Sequence, residues 1–385
     1  MPQVRKPPVQ PSTRRLVVCC DGTGNEIAET ESNVLKFYRC VKQTEDQVVF
    51  YDPGVGTISD GGAWRAWKNK SRGVFGLLTG YGLDDNIVEA YRFLVKNWRP
   101  GDEIWLFGFS RGAYTVRVLA AFIRTVGLLA PHQNHLIQYA LTTYKRSETN
   151  QMPALAYRLN ETLRTARPTI HFLGCWDTVG SVIIPRPDRL YFPSIEDLPG
   201  VEKNDAVEVF RHALAIDERR RMFRPTPWQA DQLFRPNPFL KDDHSLVIKQ
   251  DSKEMWFAGV HGDVGGGYPE EKSGAAKFPL AWMVEEADAK GLKFRNRMVK
   301  HLVNGDLPKN TTRYYAPPNV AAPLNKSLIG LWWVLEFLPR LRSLGKSSNS
   351  FWGKLFPLGE SRQRPGSAEI HPSATARADQ TEYKL

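Results

Sequence analysis

The chain has little of several things that would each define a class. Four cysteines in 385 residues do not make a disulfide framework. No Cys-x-x-Cys pair offers zinc two thiolates, and Cys19 and Cys20, adjacent at the end of an apolar run, read as small buried hydrophobes. No Walker-type phosphate loop or conventional metal-ligand spacing is present, so neither a metal nor another cofactor is expected. No apolar run reaches membrane-spanning length. The proline-rich start, Met1 to Arg15, has no apolar core of a signal peptide. The expected location is therefore cytoplasmic, with signal-less export as the other route. The net charge of +11 suits an anionic membrane, a nucleic acid or an acidic substrate alike. The longest basic run is only Arg219-Arg220-Arg221, so no nucleic-acid partner is expected.

What is present is an alternation of short apolar runs and helical stripes. Leu16 to Cys20, Val48 to Tyr51, Ile104 to Phe107, Ile170 to Trp176, His212 to Ile216 and Met255 to Val260 are continuous apolar runs of strand length. Buried parallel strands read this way. Between them, Val34, Phe37, Tyr38 and Val41 share one helical face behind an Asn33 cap, and Ile87, Ala90, Tyr91, Leu94 and Trp98 form a second stripe behind Asp84 and Asp85. Strands alternating with helices predict an α/β fold with a largely parallel central sheet and helices on both faces. In such sheets ligands sit beyond the carboxyl ends of the strands. The polar loops Asp21 to Asn25, Asp177 to Gly180, Asp217 and His261 to Tyr268 all lie there.

The organisation expected is a disordered arm over 1–14, one catalytic domain over 15–300, a C-terminal segment over 301–358 and a polar tail over 359–385. The segment from Ile58 to Gly82 reads as a surface excursion. Leu328 to Leu338 is nearly uniformly apolar with basic flanks. It suits a helix that caps the pocket, or one that makes peripheral contact with a membrane. The tail beyond Gly359 is expected to be mobile, apart from a docking point at Ile370-His371-Pro372.

The stretch with the most chemistry is Gly108-Phe109-Ser110-Arg111-Gly112, placed between an apolar strand and a helical stripe. That context fits a nucleophile elbow, a sharp turn that lifts a serine hydroxyl clear of the sheet. A tight turn alone could use the same residue types, but the flanking strand and helix favour the elbow. A serine needs a base, and the base needs an acid to orient it. His261 follows the last strong strand, among glycines. Asp177 and Asp217 both end strands between Ser110 and His261, so chain order cannot separate them. Asp177 is preferred on the character of its loop, with Asp217 as the alternative, which Arg219 to Arg221 could hold in an ion pair. Asp263 could fix the histidine loop. Oxyanion donors are expected at the Arg111 N–H and in the loop after the first strand, at Gly22 or Thr23, with Asp21 shaping that loop.

Four ordered blocks together resemble a known family. They are Val18-Cys19-Cys20-Asp21-Gly22-Thr23-Gly24-Asn25, the run from Pro100 through Gly108-Phe109-Ser110-Arg111-Gly112-Ala113-Tyr114, Trp176-Asp177-Thr178-Val179-Gly180, and His261-Gly262-Asp263-Val264-Gly265-Gly266-Gly267-Tyr268. They are similar to the α/β-hydrolase domain family that includes type VI secretion phospholipase effectors. The resemblance implies an α/β-hydrolase fold and a serine esterase or lipase acting on acyl esters, phospholipids included. By motif position it implies Ser110 as nucleophile, His261 as base and Asp177 as acid. It also implies a secretion or immunity partner if the chain acts as an effector. The effectors are usually longer, with an added membrane-binding module for which only Leu328 to Leu338 would serve here. The competing reading is a non-catalytic α/β module that binds an anionic membrane surface or a protein partner.

Overall fold

The apolar runs come together as neighbours in one sheet. The computed structural model describes residues 13–22, 30–54, 82–149, 153–180, 183–185, 193–195, 200–238, 240–308, 312–330, 332–336 and 358–385. Its main sheet has seven strands: β1 (Arg15–Cys20), β2 (Gln47–Asp52), β3 (Glu103–Phe109), β4 (Ile170–Trp176), β5 (Val207–Ala215), β6 (Asp251–Phe257) and β7 (Glu369–Ile370). Their order is β7-β6-β5-β4-β3-β1-β2, and every pairing in it is parallel. The order reverses between β1 and β3, which opens the crevice where ligands of such sheets bind.

Alternation along the strands divides the core in two. Leu16, Val18 and Cys20 face one side, with α2 (Leu83–Asn97) and α3 (Arg111–Val126). Residues of α4 (Ile137–Thr149) and α5 (Pro153–Leu163) complete that layer. Val17 and Cys19 face the other side, with Trp105, Phe107 and Trp176 and the helices α1 (Asn33–Cys40), α7 (Lys277–Ala289) and α8 (Asn296–Leu302). Each such side chain taken from water contributes about 1.5–3 kcal/mol. All four cysteines are free and buried, as small hydrophobes would be. Nearly the whole of α3 is buried, because α2, α4 and α5 cover what the sheet leaves.

Some local expectations need correction. Ser32, not Asn33, caps α1, its hydroxyl accepting the Leu35 N–H. Asn33 instead donates its amide to the Val264 and Ala276 carbonyls, at 2.8 and 2.9 Å. The 1–14 arm is described only at residues 13 and 14, and of the Ile58 to Gly82 excursion only Gly82 lies within the described residues, at the N-terminus of α2.

The 359–385 segment is the larger departure, since it folds back onto the sheet. β7 pairs with β6 through Met255–Glu369 and Trp256–Ile370. The following helix, α10 (Pro372–Gln380), is capped by His371, whose ring stacks on Phe257 with centroids 4.5 Å apart. The docking point at Ile370 to Pro372 is there, but Arg362 and Tyr383 also reach inward, to Asp177 and Asp217. These are polar anchors, invisible to a search for apolar periodicity. Among the described residues no helix is long and apolar enough to cross a membrane.

Candidate active site

The turn after β3 is sterically determined. Ser110 has φ 56° and ψ −119°, a conformation L-residues adopt only under constraint. A Cβ on Gly108 would lie 2.4 Å from the Gly112 carbonyl oxygen, and one on Gly112 would lie 2.1 Å from the Cys20 carbonyl oxygen. The elbow thus requires both glycines. The Ser110 N–H donates to the Trp176 carbonyl (3.0 Å), tying the turn to the end of β4, one residue before Asp177.

Three side chains from three strand ends form one hydrogen-bonded line. His261 Nε2 lies 2.8 Å from Ser110 Oγ, and His261 Nδ1 lies 2.5 Å from Asp177 Oδ2. His261 begins a short helix, α6 (His261–Gly265), directly beyond β6. Asp263 accepts the Val260 N–H (3.0 Å) and holds that turn, with Asn325 donating to its other oxygen at 2.6 Å. Asp177 also has a positive φ, 38°, and Oδ1 accepts the Ala215 N–H at 3.0 Å. Asp217, the alternative acid, points elsewhere: its Oδ2 accepts the Gly259 N–H (2.6 Å) and the Tyr383 hydroxyl (2.8 Å). The ion pair expected of it falls on its neighbour, Glu218, which binds Arg220 at 2.9 Å.

The loop after β1 is organised by Asp21. Its carboxylate accepts the Gly22 N–H (2.6 Å), the Tyr51 hydroxyl (2.8 Å) and the Ser32 hydroxyl. Gly22, expected as an oxyanion donor, therefore directs its N–H to Asp21. Thr23 lies outside the described residues. The Arg111 N–H lies at the first position of α3, the residue after Ser110.

Several neighbours carried no signal in the sequence. Arg362 donates from both terminal nitrogens to the two oxygens of Asp177, at 2.5 and 2.9 Å. Glu218, 1% exposed, accepts the His261 backbone N–H (3.2 Å) and the Ser327 hydroxyl (2.9 Å). Phe223 sets its ring edge-on to His261 at 4.8 Å, and Trp332 packs edge-on against Phe223 at 5.3 Å. Arg220 lies over both rings. Trp332 opens α9 (Trp332–Glu336), so the apolar C-terminal stretch does reach the site, one ring away from the histidine. His212, read as a core residue, is fully buried and accepts the Thr178 N–H on Nε2 (3.1 Å), which steadies the acid's loop.

The electrostatics follow from burial and pairing. Burial alone would raise the Asp177 carboxyl, but the Arg362 charge and the His261 hydrogen bond outweigh it and hold the group well below the ordinary range. Burial pushes the His261 imidazole down, aided by Arg220 and opposed by Asp177 and Glu218. Glu218 sits at about 2, since pairing with Arg220 overcomes its own burial. At neutral pH this leaves a neutral imidazole between a hydroxyl and a fixed carboxylate. Such a group can take the hydroxyl's proton.

A parallel α/β sheet with a serine on the elbow after a central strand defines the α/β-hydrolase fold. The family model described as "T6SS, Phospholipase effector Tle1-like, catalytic domain" matches residues 14–286, and the chain belongs to that family. A curated relative, the uncharacterized protein YEL023C of Saccharomyces cerevisiae, is 32% identical over 251 residues, which are 61% of this chain and 35% of the yeast protein. Two solved structures are also similar. An uncharacterized protein from Pseudomonas aeruginosa has 17% identity and a TM-score of 0.36, over 74% of this chain and 46% of that one. The Tle1 effector bound to the VgrG spike of the type 6 secretion system has 19% identity and a TM-score of 0.32, over 68% and 52%. The chain thus spans about a third of the yeast relative's length and about half of each solved chain.

Proposed function

We propose that the chain is a serine hydrolase that cleaves carboxylic acyl esters of lipids, phospholipids foremost, with Ser110 as nucleophile, His261 as base and Asp177 as acid. The observation that carries this reading is the hydrogen-bonded line from Ser110 Oγ through both nitrogens of His261 to Asp177. Membership of a phospholipase effector family supports a lipid-ester substrate. As Ser110 Oγ attacks the acyl carbonyl, His261 Nε2 takes its proton, and Asp177 stabilises the imidazolium and fixes its tautomer. The oxyanion forms beside the Arg111 N–H, where a fixed donor is worth most. Collapse breaks the ester bond, and the imidazolium returns its proton to the leaving alcohol. Water then attacks the acyl-serine as His261 again takes the proton; collapse breaks the Ser110 Oγ–acyl bond, the imidazolium returns the proton to Oγ, and the fatty acid departs.

The 15–300 region is the catalytic unit in this reading. Within the 301–358 segment, Trp332 backs the Phe223 ring that flanks the base, and Ile329 and Trp333, 59% and 44% exposed, face a lipid surface in this reading. The test is incubation of the full chain with phosphatidylethanolamine and phosphatidylglycerol vesicles, with mass-spectrometric detection of free fatty acid and lysophospholipid. Product from wild type that falls at least about a thousandfold in Ser110→Ala supports the reading. Equal product from both proteins contradicts it.

A further inference from the structure

Arg362 lies well beyond residue 286, where the match to the family's catalytic domain ends. Yet it is 7% exposed at the centre of the candidate site. Its two terminal nitrogens span the Asp177 carboxylate, one to each oxygen, and also donate to the Ala215 and Phe223 carbonyls at 2.9 and 2.5 Å. The planar fork therefore ties together the acid, the end of β5 and the backbone of Phe223, whose ring flanks His261. The segment bearing it is anchored on both sides. Glu360 pairs with Arg224 at 2.9 Å, β7 extends the sheet, and the Tyr383 hydroxyl donates to Asp217 at 2.8 Å.

We propose that Arg362 is a positioning residue for the hydrolytic reaction: the C-terminal 358–385 segment completes the site by locking the Asp177 carboxylate in the orientation that His261 requires. The proposal rests on the serine-hydrolase reading and extends it to a part of the chain outside the matched domain. A bidentate guanidinium fixes both position and rotation of a carboxylate, which an ammonium cannot. Its charge has a second effect. The groups facing His261 are Asp177, Glu218 and Arg220, and those facing Asp177 are His261 and Arg362, with His212 nearby. Arg362 offsets the carboxylate that would otherwise stabilise the imidazolium, so it keeps His261 unprotonated at lower pH.

The experiment compares wild type, Arg362→Gln and Arg362→Lys as full chains. It measures hydrolysis of a short-chain p-nitrophenyl ester from pH 5 to 9, circular-dichroism melting, and fluorophosphonate labelling of wild type in parallel. Arg362→Gln is expected to lose roughly 10- to 100-fold in kcat, the scale for removing a group that orients a functional ligand. Its acid limb is expected to move up by about one pH unit. Arg362→Lys keeps the charge, so its limb stays near that of wild type while its rate still falls. Folded variants within about threefold of wild type, with unmoved limbs, overturn the proposal. If Arg362→Gln does not fold, Arg362→Lys decides alone: full rate in that variant overturns it. Wild type that neither labels nor hydrolyses the ester removes the serine-hydrolase reading itself, and this proposal with it.

Discussion

Gly112 and Cys20 stand so close that a Cβ on the glycine would lie 2.1 Å from the Cys20 carbonyl oxygen. The helix behind Ser110 packs directly on the end of β1, and nothing larger than hydrogen fits between them. Gly112→Ala is expected to cost about 3 kcal/mol or more, since backbone rather than a flexible side chain must move. Gly366→Ala, where nothing lies within 4 Å of the new Cβ, should melt within about 0.5 kcal/mol of wild type. Melting curves of the two variants check this. Equal stability would mean that the elbow is not held as described.

The two carboxylates that chain order could not separate differ in what they touch. Asp177 reaches His261, whereas Asp217 holds Gly259 and Tyr383. Asp177→Asn is expected to lower kcat by about 10³- to 10⁴-fold, because an amide cannot stabilise the imidazolium. Asp217→Asn should stay within about fivefold, because its amide oxygen can still accept the Gly259 N–H and the Tyr383 hydroxyl. Ester hydrolysis by both variants decides. The reverse ranking would reassign the acid.

Activity should persist to mildly acidic pH. His261 lies below its ordinary 6.5, and turnover needs the neutral imidazole. The acid limb of kcat/KM is therefore expected below pH 6.5, and a limb at pH 7 or above would contradict the burial argument.

Stability should also decline in acid. For His261 the unfolded chain takes up a proton as pH falls through 6.5, before the folded chain does, so unfolding gains ground from there downward. Glu218, lowered from 4.5 to about 2, contributes stability that is full above 4.5 and is lost as pH falls towards 2. Melting temperature against pH is expected to drop in this order. A shallower drop between pH 6.5 and 5 in His261→Gln would assign the first part to the imidazole, and an unchanged drop would not.

Ile329 and Trp333 are exposed apolar residues on either side of Trp332 in the chain, whose ring packs on Phe223. The double variant Ile329→Asp, Trp333→Asp is expected to bind anionic vesicles roughly tenfold or more weaker, each apolar side chain being worth about 1.5–3 kcal/mol. Hydrolysis of a soluble ester should be retained. Unchanged vesicle co-sedimentation would remove the membrane role from this segment.

Much of this was legible in the sequence because it is carried by contiguous signals. Leu16 to Cys20 and Ile104 to Phe107 are apolar runs that have no stable place except inside a parallel sheet. The elbow is legible because Gly108 and Gly112 flank Ser110 at fixed spacing, and His261 because it follows a strong apolar strand. What could not be read is pairing between distant polar groups. Arg362 looks like any tail arginine until β7 brings it onto Asp177, and Ser32 and Asn33 compete for one cap on equal terms. At Gly22 the sequence shows the loop but not the partner: the adjacent Asp21 carboxylate accepts its N–H.

The most direct test of the central claim is labelling with a fluorophosphonate probe, followed by peptide mapping of the adduct. A serine is phosphonylated only when a base activates it. A single adduct on Ser110 is expected in wild type, lost in Ser110→Ala and at least about a hundredfold slower to form in His261→Ala. An adduct on another residue, or undiminished labelling of folded His261→Ala, would contradict it.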